Sequence, residues 1–204
     1  MAFEVAFGGL HTVISGGQTG ADQGGLLAAW RLGVRTAGCA AKDYKVQDGH
    51  NPLLEVLGLR NEGNYQERTI TNVLESDGTV IVAYNVSSPG TVLTIVSCRK
   101  HDKPYLVFDV SEIIRYARIG ESSTGTEPVM ALIVEHAQKL ADWIVTNTIG
   151  TLNVAGNREI RSNGSSGGTL MITSVTDWII TLALNMLELD DKLVFKEDLK
   201  GLLH

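Results

Sequence analysis

The sequence predicts an α/β fold in which a mostly parallel sheet has helices on both faces. Short apolar runs alternate with segments of helical periodicity along nearly the whole chain. The strand runs, of which GTVIVAY at 78–84 is the clearest, are continuously apolar, which is typical of strands buried on both faces. The helical segments between the runs can serve as the right-handed crossovers that parallel strands require.

The first half of the chain begins with regular alternation and then departs from it. The predicted elements are a strand at 10–14, a helix at about 20–32, a strand at 34–39 and a helix at 65–75. Residues 40–64 are polar and rich in glycine and asparagine, which predicts a long irregular excursion with one helical patch at 52–57. Long loops in compact domains are usually functional or mobile, and we expect this one to close part of a ligand pocket.

The second half returns to regular alternation. Its predicted elements are a strand at 78–84, a helix at 90–101, a strand at 104–110, a helix at 128–147, a strand at 151–155 and a helix at about 168–189. Residues 111–126 lead into the stretch IGESSTGTEP at 119–128, and a surface loop is predicted at 111–126. With no internal repeat or domain boundary, residues 1–204 are predicted to form a single ligand-binding domain. Its charged and then apolar tail at 190–204 is expected to dock on the domain or on a partner chain.

Composition and charge exclude several classes of protein. Apolar residues make up 44% and charged residues 20%, as in soluble globular domains. The formal net charge is −6, and no basic cluster is present to neutralise a nucleic-acid backbone. The longest strongly apolar run, at 178–187, has about half the length needed to span a bilayer. We therefore predict no nucleic-acid partner and no membrane span.

Cysteine usage and the N-terminal segment indicate the compartment. Cys39 and Cys98 have neither a CxxC spacing nor a nearby histidine pair, so we expect two free thiols rather than a disulfide framework or a zinc site. The first residues contain Glu4 and lack the basic stretch of a signal peptide. Together these features predict a cytoplasmic protein.

Three loops of similar chemistry follow predicted strands and open predicted helices. They are SGGQTGAD at 15–22, NVSSPGT at 85–91 and GNREIRSNGSSGGT at 156–169. In an α/β fold such loops lie at the carboxyl edge of the sheet, where ligands bind. Free N–H groups and the positive end of a helix favour an anion there, and glycine lets a phosphate approach the backbone. Arg158 and Arg161 in the third loop could add charge-assisted hydrogen bonds.

Each loop also has an alternative explanation, because glycine and hydroxyl residues make turns and helix caps without any ligand. Three such loops at one predicted edge favour a phosphate-bearing ligand. Gly24 and Gly25 lie beyond the first loop, inside the predicted helix, and are expected to let that helix pack closely on the sheet or on another backbone. No GK[ST] follows the first loop, and its glycines do not form GxGxxG. Neither a Mg-ATP hydrolase nor a dinucleotide dehydrogenase is therefore implied.

The order of five motifs resembles the circularly permuted YpsA-like members of the SLOG superfamily, which are also called molybdenum carriers. The motifs are ISGGQTGADQGGLLAA, YQERTITNVLESDGTVIVA, SSPGTVLTI, KPYLVFDV and LNVAGNRE. The resemblance covers roughly residues 10–187. It implies a Rossmann-like α/β fold, often oligomeric, and an association with nucleotides or nucleotide-derived ligands.

The loops and the resemblance together single out a set of candidate ligand-binding residues. They are Gly16, Gly17, Gln18, Thr19, Gly20, Asp22, Arg68, Asn72, Ser88, Gly90, Thr91, Gly156, Arg158 and Arg161. The middle motif of the family also matches Thr69, Ser76, Asp77 and Thr79. No metal site is predicted. The ligand expected from the resemblance is a nucleotide, an ADP-ribose-type compound or a molybdopterin-type compound.

This chain departs from the family pattern in three places. AGCAAKDY replaces the stretch that usually carries tryptophan and proline around the cysteine of the second strand, Asn157 stands where the family usually has proline, and the segment after Val110 is longer. These departures leave open a ligand different from that of typical members.

Catalysis is the main alternative to simple binding. The superfamily includes Lonely Guy-type phosphoribohydrolases, whose motif resembles PGGxGTxxE with a catalytic glutamate; here Thr94 occupies that position. A glycosidic transition state needs a nearby carboxylate, and Asp22 and Asp77 are the candidates to supply one. Each also has a structural explanation, Asp22 as an acid in a first helical turn and Asp77 as a turn residue. The histidines form no HxH or HxxxH pair, and no GxSxG turn is present.

Three hypotheses follow. The leading one is a carrier, sensor or sequestering protein for a small phosphate-bearing ligand. The second is a hydrolase of an N-glycosidic or phosphate bond in the same class of ligand. The third is a structural subunit of a homo-oligomer, and a dimer or tetramer is expected in each case.

Overall fold

A computed structural model describes residues 8–119, 127–160 and 172–201 of the chain. Six strands build its main sheet: β1 (Thr12–Ser15), β2 (Arg35–Ala40), β5 (Leu59–Asn61), β6 (Gly78–Ala83), β7 (Tyr105–Asp109) and β8 (Thr151–Gly156). A small hairpin adds β3 (Lys45–Val46) and β4 (Gly49–His50). The helices are α1 (Ala21–Arg31), α2 (Leu53–Val56), α3 (Tyr65–Glu75), α4 (Pro89–Lys100), α5 (Ser111–Ile119), α6 (Glu127–Thr146) and α7 (Ile172–Gly201).

The main sheet has the strand order β5-β2-β1-β8-β6-β7, and all its pairs are parallel. The predicted α/β fold with a Rossmann-like parallel sheet is confirmed. The last strand, β8, lies between β1 and β6. The three glycine-rich loops therefore leave three neighbouring strands in the middle of the sheet, and they meet at one edge.

Helices cover both faces of the sheet. On one face α7 packs against α1 and α6, and α5 packs against α6; on the other face α3 packs against α4. The main core lies under the larger layer, where Phe108, Ile133, Leu140 and Leu152 are fully or almost fully buried. This arrangement leaves the carboxyl edge between α3 and α4 open for a ligand. None of the helices in the described ranges has the length and apolarity to cross a bilayer.

The excursion at 40–64 is more ordered than predicted. It contains the hairpin, the helical patch as α2, and the edge strand β5, which pairs with β2. The sequence concealed β5 because only Leu59 among its three residues is apolar and buried. Pairing with a neighbouring strand, rather than residue preference, makes these residues a strand.

The surface loop predicted at 111–126 is wrong in its first part, which forms α5. The Asp109 carboxylate accepts a hydrogen bond of 2.9 Å from the Ser111 N–H, and Ile113 and Ile114 are buried. A local cap and the burial of two apolar side chains thus stabilise this helix, which the polar sequence of the segment did not predict. The remainder of that segment, at 120–126, lies outside the described residues.

The end of the chain is also helical. α7 continues to Gly201, so most of the predicted tail at 190–204 extends this helix. The sequence between 188 and 200 contains neither glycine nor proline that would stop it.

Candidate functional site

A cavity of about 910 Å³ opens at the carboxyl edge of the sheet, between α3 and α4. The first loop, the exposed face of α3, the start of α4 and the third loop all contribute to its wall. The lining residues used below are Gly16, Gln18, Asp22, Tyr65, Arg68, Asn72, Ser88, Gly90, Val92, Leu93, Val96, Gly156, Asn157 and Arg158. The volume is typical of a site for a small organic ligand.

Three helix starts follow the glycine-rich loops, and the first of them, that of α1, is occupied by the protein itself. Its Ala21 N–H donates to the Asn157 carbonyl at 3.1 Å, and its Gln23 N–H donates to the Gln18 carbonyl at 3.3 Å. The Glu159 N–H donates in turn to the Thr19 carbonyl at 3.2 Å, so the first and third loops are joined by their backbones.

The start of α7 is occupied as well. The Glu159 carboxylate accepts from the Ile172 N–H at 2.9 Å, the Thr173 N–H at 3.2 Å and the Thr173 hydroxyl at 2.7 Å. A carboxylate is what the positive end of a helix favours. This helix start therefore already holds its anion.

The start of α4 is different. Pro89 is its first residue, and the N–H groups of Gly90 and Thr91 have no acceptor in the described part of the chain. An added Cβ at Gly90 would meet nothing within 4 Å. Of the three predicted anion sites, this one keeps free donors and an open approach to the cavity.

Most glycines of the first loop serve packing inside the protein. A Cβ at Gly16 would collide with the Arg68 guanidinium, and one at Gly20 with the backbone of Asn157 and Arg158. Gly17 has a φ of 71° and faces Leu54 away from the cavity. Gly156 passes close to the Val82 carbonyl, where no Cβ would fit.

Two further glycines behave as their position inside α1 predicts. Gly24 lies against the backbone of Thr173 in α7. A Cβ added at Gly25 would lie 2.6 Å from the Val154 side chain in β8. Their predicted role in close packing of the helix is confirmed.

A buried ion pair forms the floor of the cavity. Arg68 and Asp22 are each 8% exposed, and the guanidinium Nη1 lies 3.5 Å from the carboxylate Oδ2. Nη1 also donates to the Gly16 carbonyl, while Nε has no partner among the described residues. Burial raises the pKa of Asp22, and the Arg68 guanidinium and the Gln18 N–H work against that rise. Gln18, 5% exposed, likewise has a buried amide Nε2 that no group in the described ranges contacts as a hydrogen-bond partner.

The Tyr65 ring in the cavity wall contacts two guanidiniums, that of the buried Arg68 and that of the exposed Arg158. The guanidinium carbons of Arg68 and Arg158 each lie 5.2 Å from the centroid of the Tyr65 ring. Arg158 is exposed and forms no ion pair with an acidic residue in the described ranges. The cavity wall thus carries two arginines against one aspartate, an excess of positive charge. Arg161 lies outside the described residues.

The other candidate residues lie at different places in the fold, some at the cavity and some away from it. Asn72 lines the cavity, and its amide bonds both backbone groups of Cys39, which fixes α3 to β2. Asp77 lies at the opposite, amino edge, where its carboxylate accepts from the N–H groups of Gly150 and Thr151. The fold therefore keeps Asp77 away from Asp22 and from the cavity. Ser76 and Thr79, next to Asp77 in the chain, do not line it either.

Other residues at the site were not foreseen as site residues. Tyr65 and Val92 line the cavity, and Glu159 caps α7. Their sequence signal is their position in or beside the predicted loops and within the YQERTITNVLESDGTVIVA, SSPGTVLTI and LNVAGNRE motifs. The excursion at 40–64 contributes no lining residue; it supports Gln18 from behind, through a 2.7 Å hydrogen bond from the Gln47 N–H.

The described residues contain no group of three or more histidine, cysteine, aspartate or glutamate side chains arranged to hold a metal ion. Cys39 and Cys98 are both buried free thiols, and burial raises the pKa of each. The chemistry available at the cavity is therefore that of hydrogen-bond donors, two guanidiniums and one buried carboxyl.

Comparison with known proteins agrees with the motifs. No curated protein matches the chain. A crystal structure named "Putative molybdenum carrier protein", from Syntrophus aciditrophicus SB, is similar with a TM-score of 0.67 and 28% sequence identity, over 86% of this chain and 96% of that one. The model of the circularly permutated YpsA SLOG family matches residues 13–173. The chain therefore belongs to the circularly permutated YpsA SLOG family.

Proposed function

We propose that the cavity binds a small ligand through a phosphate or similar oxyanion placed at the start of α4. The observation that carries this proposal is the pair of N–H groups at Gly90 and Thr91 that have no acceptor in the described part of the chain, where Gly90 lines the cavity and leaves room for an anion. A helix start of this kind attracts anions. Arg158 is exposed, has no acidic partner among the described residues, and adds positive charge to the cavity wall.

The rest of the ligand is proposed to be flat and partly apolar. Val92, Leu93 and Val96 give the α4 wall an apolar surface, and the Tyr65 ring lies across from it on α3. A nucleotide, an ADP-ribose-type compound or a molybdopterin-type compound combines such a group with phosphate. The similar protein from Syntrophus is named for carrying molybdenum, and a pterin phosphate would fit the same chemistry. A carrier, sensor or sequestering role follows if the ligand remains intact.

Thermal shift measurements with AMP, ADP-ribose, inorganic phosphate and adenosine test this proposal. We expect the phosphate compounds to raise the melting temperature more than adenosine does, with an effect that falls at high salt. Arg158→Ala should weaken the shift. Arg99→Ala is the matched control, because Arg99 also lies over a tyrosine, Tyr105, but at the other end of α4.

The decisive companion measurement is the mass spectrum of whatever the purified protein releases on denaturation. The proposal fails if no phosphate compound, added or copurified, stabilises the protein, or if the two arginine variants weaken the shift equally.

Hydrolysis of the bound ligand is a second candidate, because Asp22 lines the cavity and burial raises its pKa. A carboxyl with a raised pKa can hold the proton that a leaving group needs. Incubation of stoichiometric protein with AMP should then release adenine or phosphate, and Asp22→Asn should stop the release while AMP still binds. Intact AMP after long incubation would exclude hydrolysis, and binding would then be the only function that the cavity supports.

A homo-oligomer, dimer or tetramer, in the cytoplasm is also part of the proposal. Light scattering during gel filtration should give two or four times the 22.0 kDa of the chain. A single 22.0 kDa species would contradict it.

A further inference from the structure

Asn157 connects all three glycine-rich loops, although it is itself only 6% exposed. Its carbonyl accepts from the Ala21 N–H of the first loop. Its side-chain amide reaches the second loop, where Oδ1 accepts from the Asn85 N–H at 2.7 Å. The amide nitrogen Nδ2 faces the Ser88 hydroxyl at 2.9 Å and the Thr91 hydroxyl at 3.0 Å.

The orientation of this amide is fixed by its neighbours. The Asn85 N–H can only donate, so the atom that faces it must be the amide oxygen. Nδ2 then faces the Asn85 carbonyl at 3.2 Å, which can only accept. A flipped amide would place a donor against a donor and an acceptor against an acceptor. The nitrogen is therefore held toward the two hydroxyls.

This orientation decides what the hydroxyls can do. An amide nitrogen donates and does not accept, and its two protons are shared among the Asn85 carbonyl and the oxygens of Ser88 and Thr91, so both hydroxyl oxygens face it as acceptors. The Ser88 hydroxyl donates to the Thr91 hydroxyl oxygen at 2.9 Å. Hydroxyl protons rotate, so the Thr91 hydroxyl can instead donate to Ser88 and free the Ser88 proton. Ser88 lines the cavity whereas Thr91 is 1% exposed, so Ser88 is the hydroxyl that can present this proton to an oxyanion there.

We infer that Asn157 is a positioning residue that makes the Ser88 hydroxyl a hydrogen-bond donor toward an oxyanion at the start of α4. The inference rests on the proposed anion site. An acidic residue at 157 would accept from the hydroxyls instead, and Ser88 would then offer the cavity a lone pair. Asn157 thus contributes to the preference for an anion without touching it.

Calorimetric titration of AMP and adenosine into four proteins tests this inference: the wild type, Asn157→Asp, Ser88→Ala and the double variant. Aspartate keeps the acceptor for the Asn85 N–H but has no amide protons. We expect Asn157→Asp and Ser88→Ala each to weaken AMP binding by roughly tenfold or more, the effect of a hydrogen bond to a charged group. Adenosine binding should stay unchanged. In the Ser88→Ala background, the Asn157 change should weaken AMP binding less than about threefold, because the coupled hydroxyl is gone.

Asn147→Asp is the matched control, because Asn147 is exposed at the end of α6, near the amino edge of the sheet. It adds the same charge and should not affect AMP binding. An equal loss of AMP affinity from Asn157→Asp in both backgrounds would show direct charge repulsion and would overturn the inference. A loss of adenosine affinity equal to that of AMP would indicate collapse of the loops and would overturn it too.

If Asn157→Asp does not fold, the Ser88→Ala variant tests the inference by itself, and unchanged AMP binding in that variant refutes the inference. A wild type that binds no phosphate compound refutes the proposed function itself, whereas wild-type binding that Asn157→Asp leaves intact refutes only the role of Asn157.

Discussion

Gly24→Ala tests whether α1 needs glycine where it crosses α7. An added methyl group would collide with the Thr173 carbonyl and lie 2.8 Å from the Thr176 Cβ, so two helix backbones would have to separate. Overpacking of this kind costs about 1–3 kcal/mol, toward the upper end when the neighbour is backbone. Replacing glycine by alanine inside a helix stabilises the helix by about 1 kcal/mol. We therefore expect the free energy of unfolding to fall by about 1–2 kcal/mol.

Urea denaturation followed by circular dichroism measures this change, and the melting temperature should fall by about 2–8 °C. Gly90→Ala is the matched stability control, because α4 also contains this glycine but an added Cβ there meets nothing within 4 Å. It should leave the protein equally or slightly more stable. If Gly24→Ala is as stable as Gly90→Ala, the close approach of α1 and α7 does not require glycine, and the packing argument is wrong.

Three further predictions concern charged and reactive groups. Burial raises the folded-state pKa of Asp22 above its ordinary value of 3.8, so its contribution to stability is present below pH 3.8 and is lost as pH rises through the folded pKa. Asp22→Asn should therefore gain stability relative to the wild type as pH rises, in urea melts across that range; a constant difference would contradict this. Glu159→Ala removes the acceptor for two N–H groups of α7 and should lower the free energy of unfolding by about 0.5–2 kcal/mol, whereas a change below the measurement error would show that the cap is dispensable. Burial and a raised pKa should protect Cys39 and Cys98 from a thiol reagent at neutral pH until urea unfolds the protein, and prompt labelling of either native thiol would refute this.

Much of the fold could be predicted because the determining signals are local. The run at 78–84 became β6, and the helix predicted at 65–75 is α3, whose start Asn64 and Glu67 cap with a reciprocal pair of hydrogen bonds. The errors fall where local preference is weak. β5 depends on pairing with β2, and α5 depends on burial of Ile113 and Ile114 by other elements.

The candidate site could be predicted only in outline. A strand, a glycine-rich loop and a helix in succession place a loop at the carboxyl edge in any parallel sheet. The sequence alone therefore determined the α/β architecture, the edge at which a ligand would bind, and the close packing of Gly24 and Gly25. In the sequence the three loops are equivalent candidates for an anion site, and Asp22 and Asp77 are equivalent candidates for a catalytic carboxylate.

Only the tertiary structure distinguished among these alternatives. The Ala21 N–H of α1 donates to Asn157, far along the chain, and the first two N–H groups of α7 donate to Glu159, whereas the N–H groups of Gly90 and Thr91 in α4 have no acceptor among the described residues. Asp22 and Asp77 lie at opposite edges of the sheet because one follows a strand and the other precedes one. Whether a donor is free depends on every acceptor that the fold brings near it, and local periodicity and residue preference contain no information about such distant neighbours.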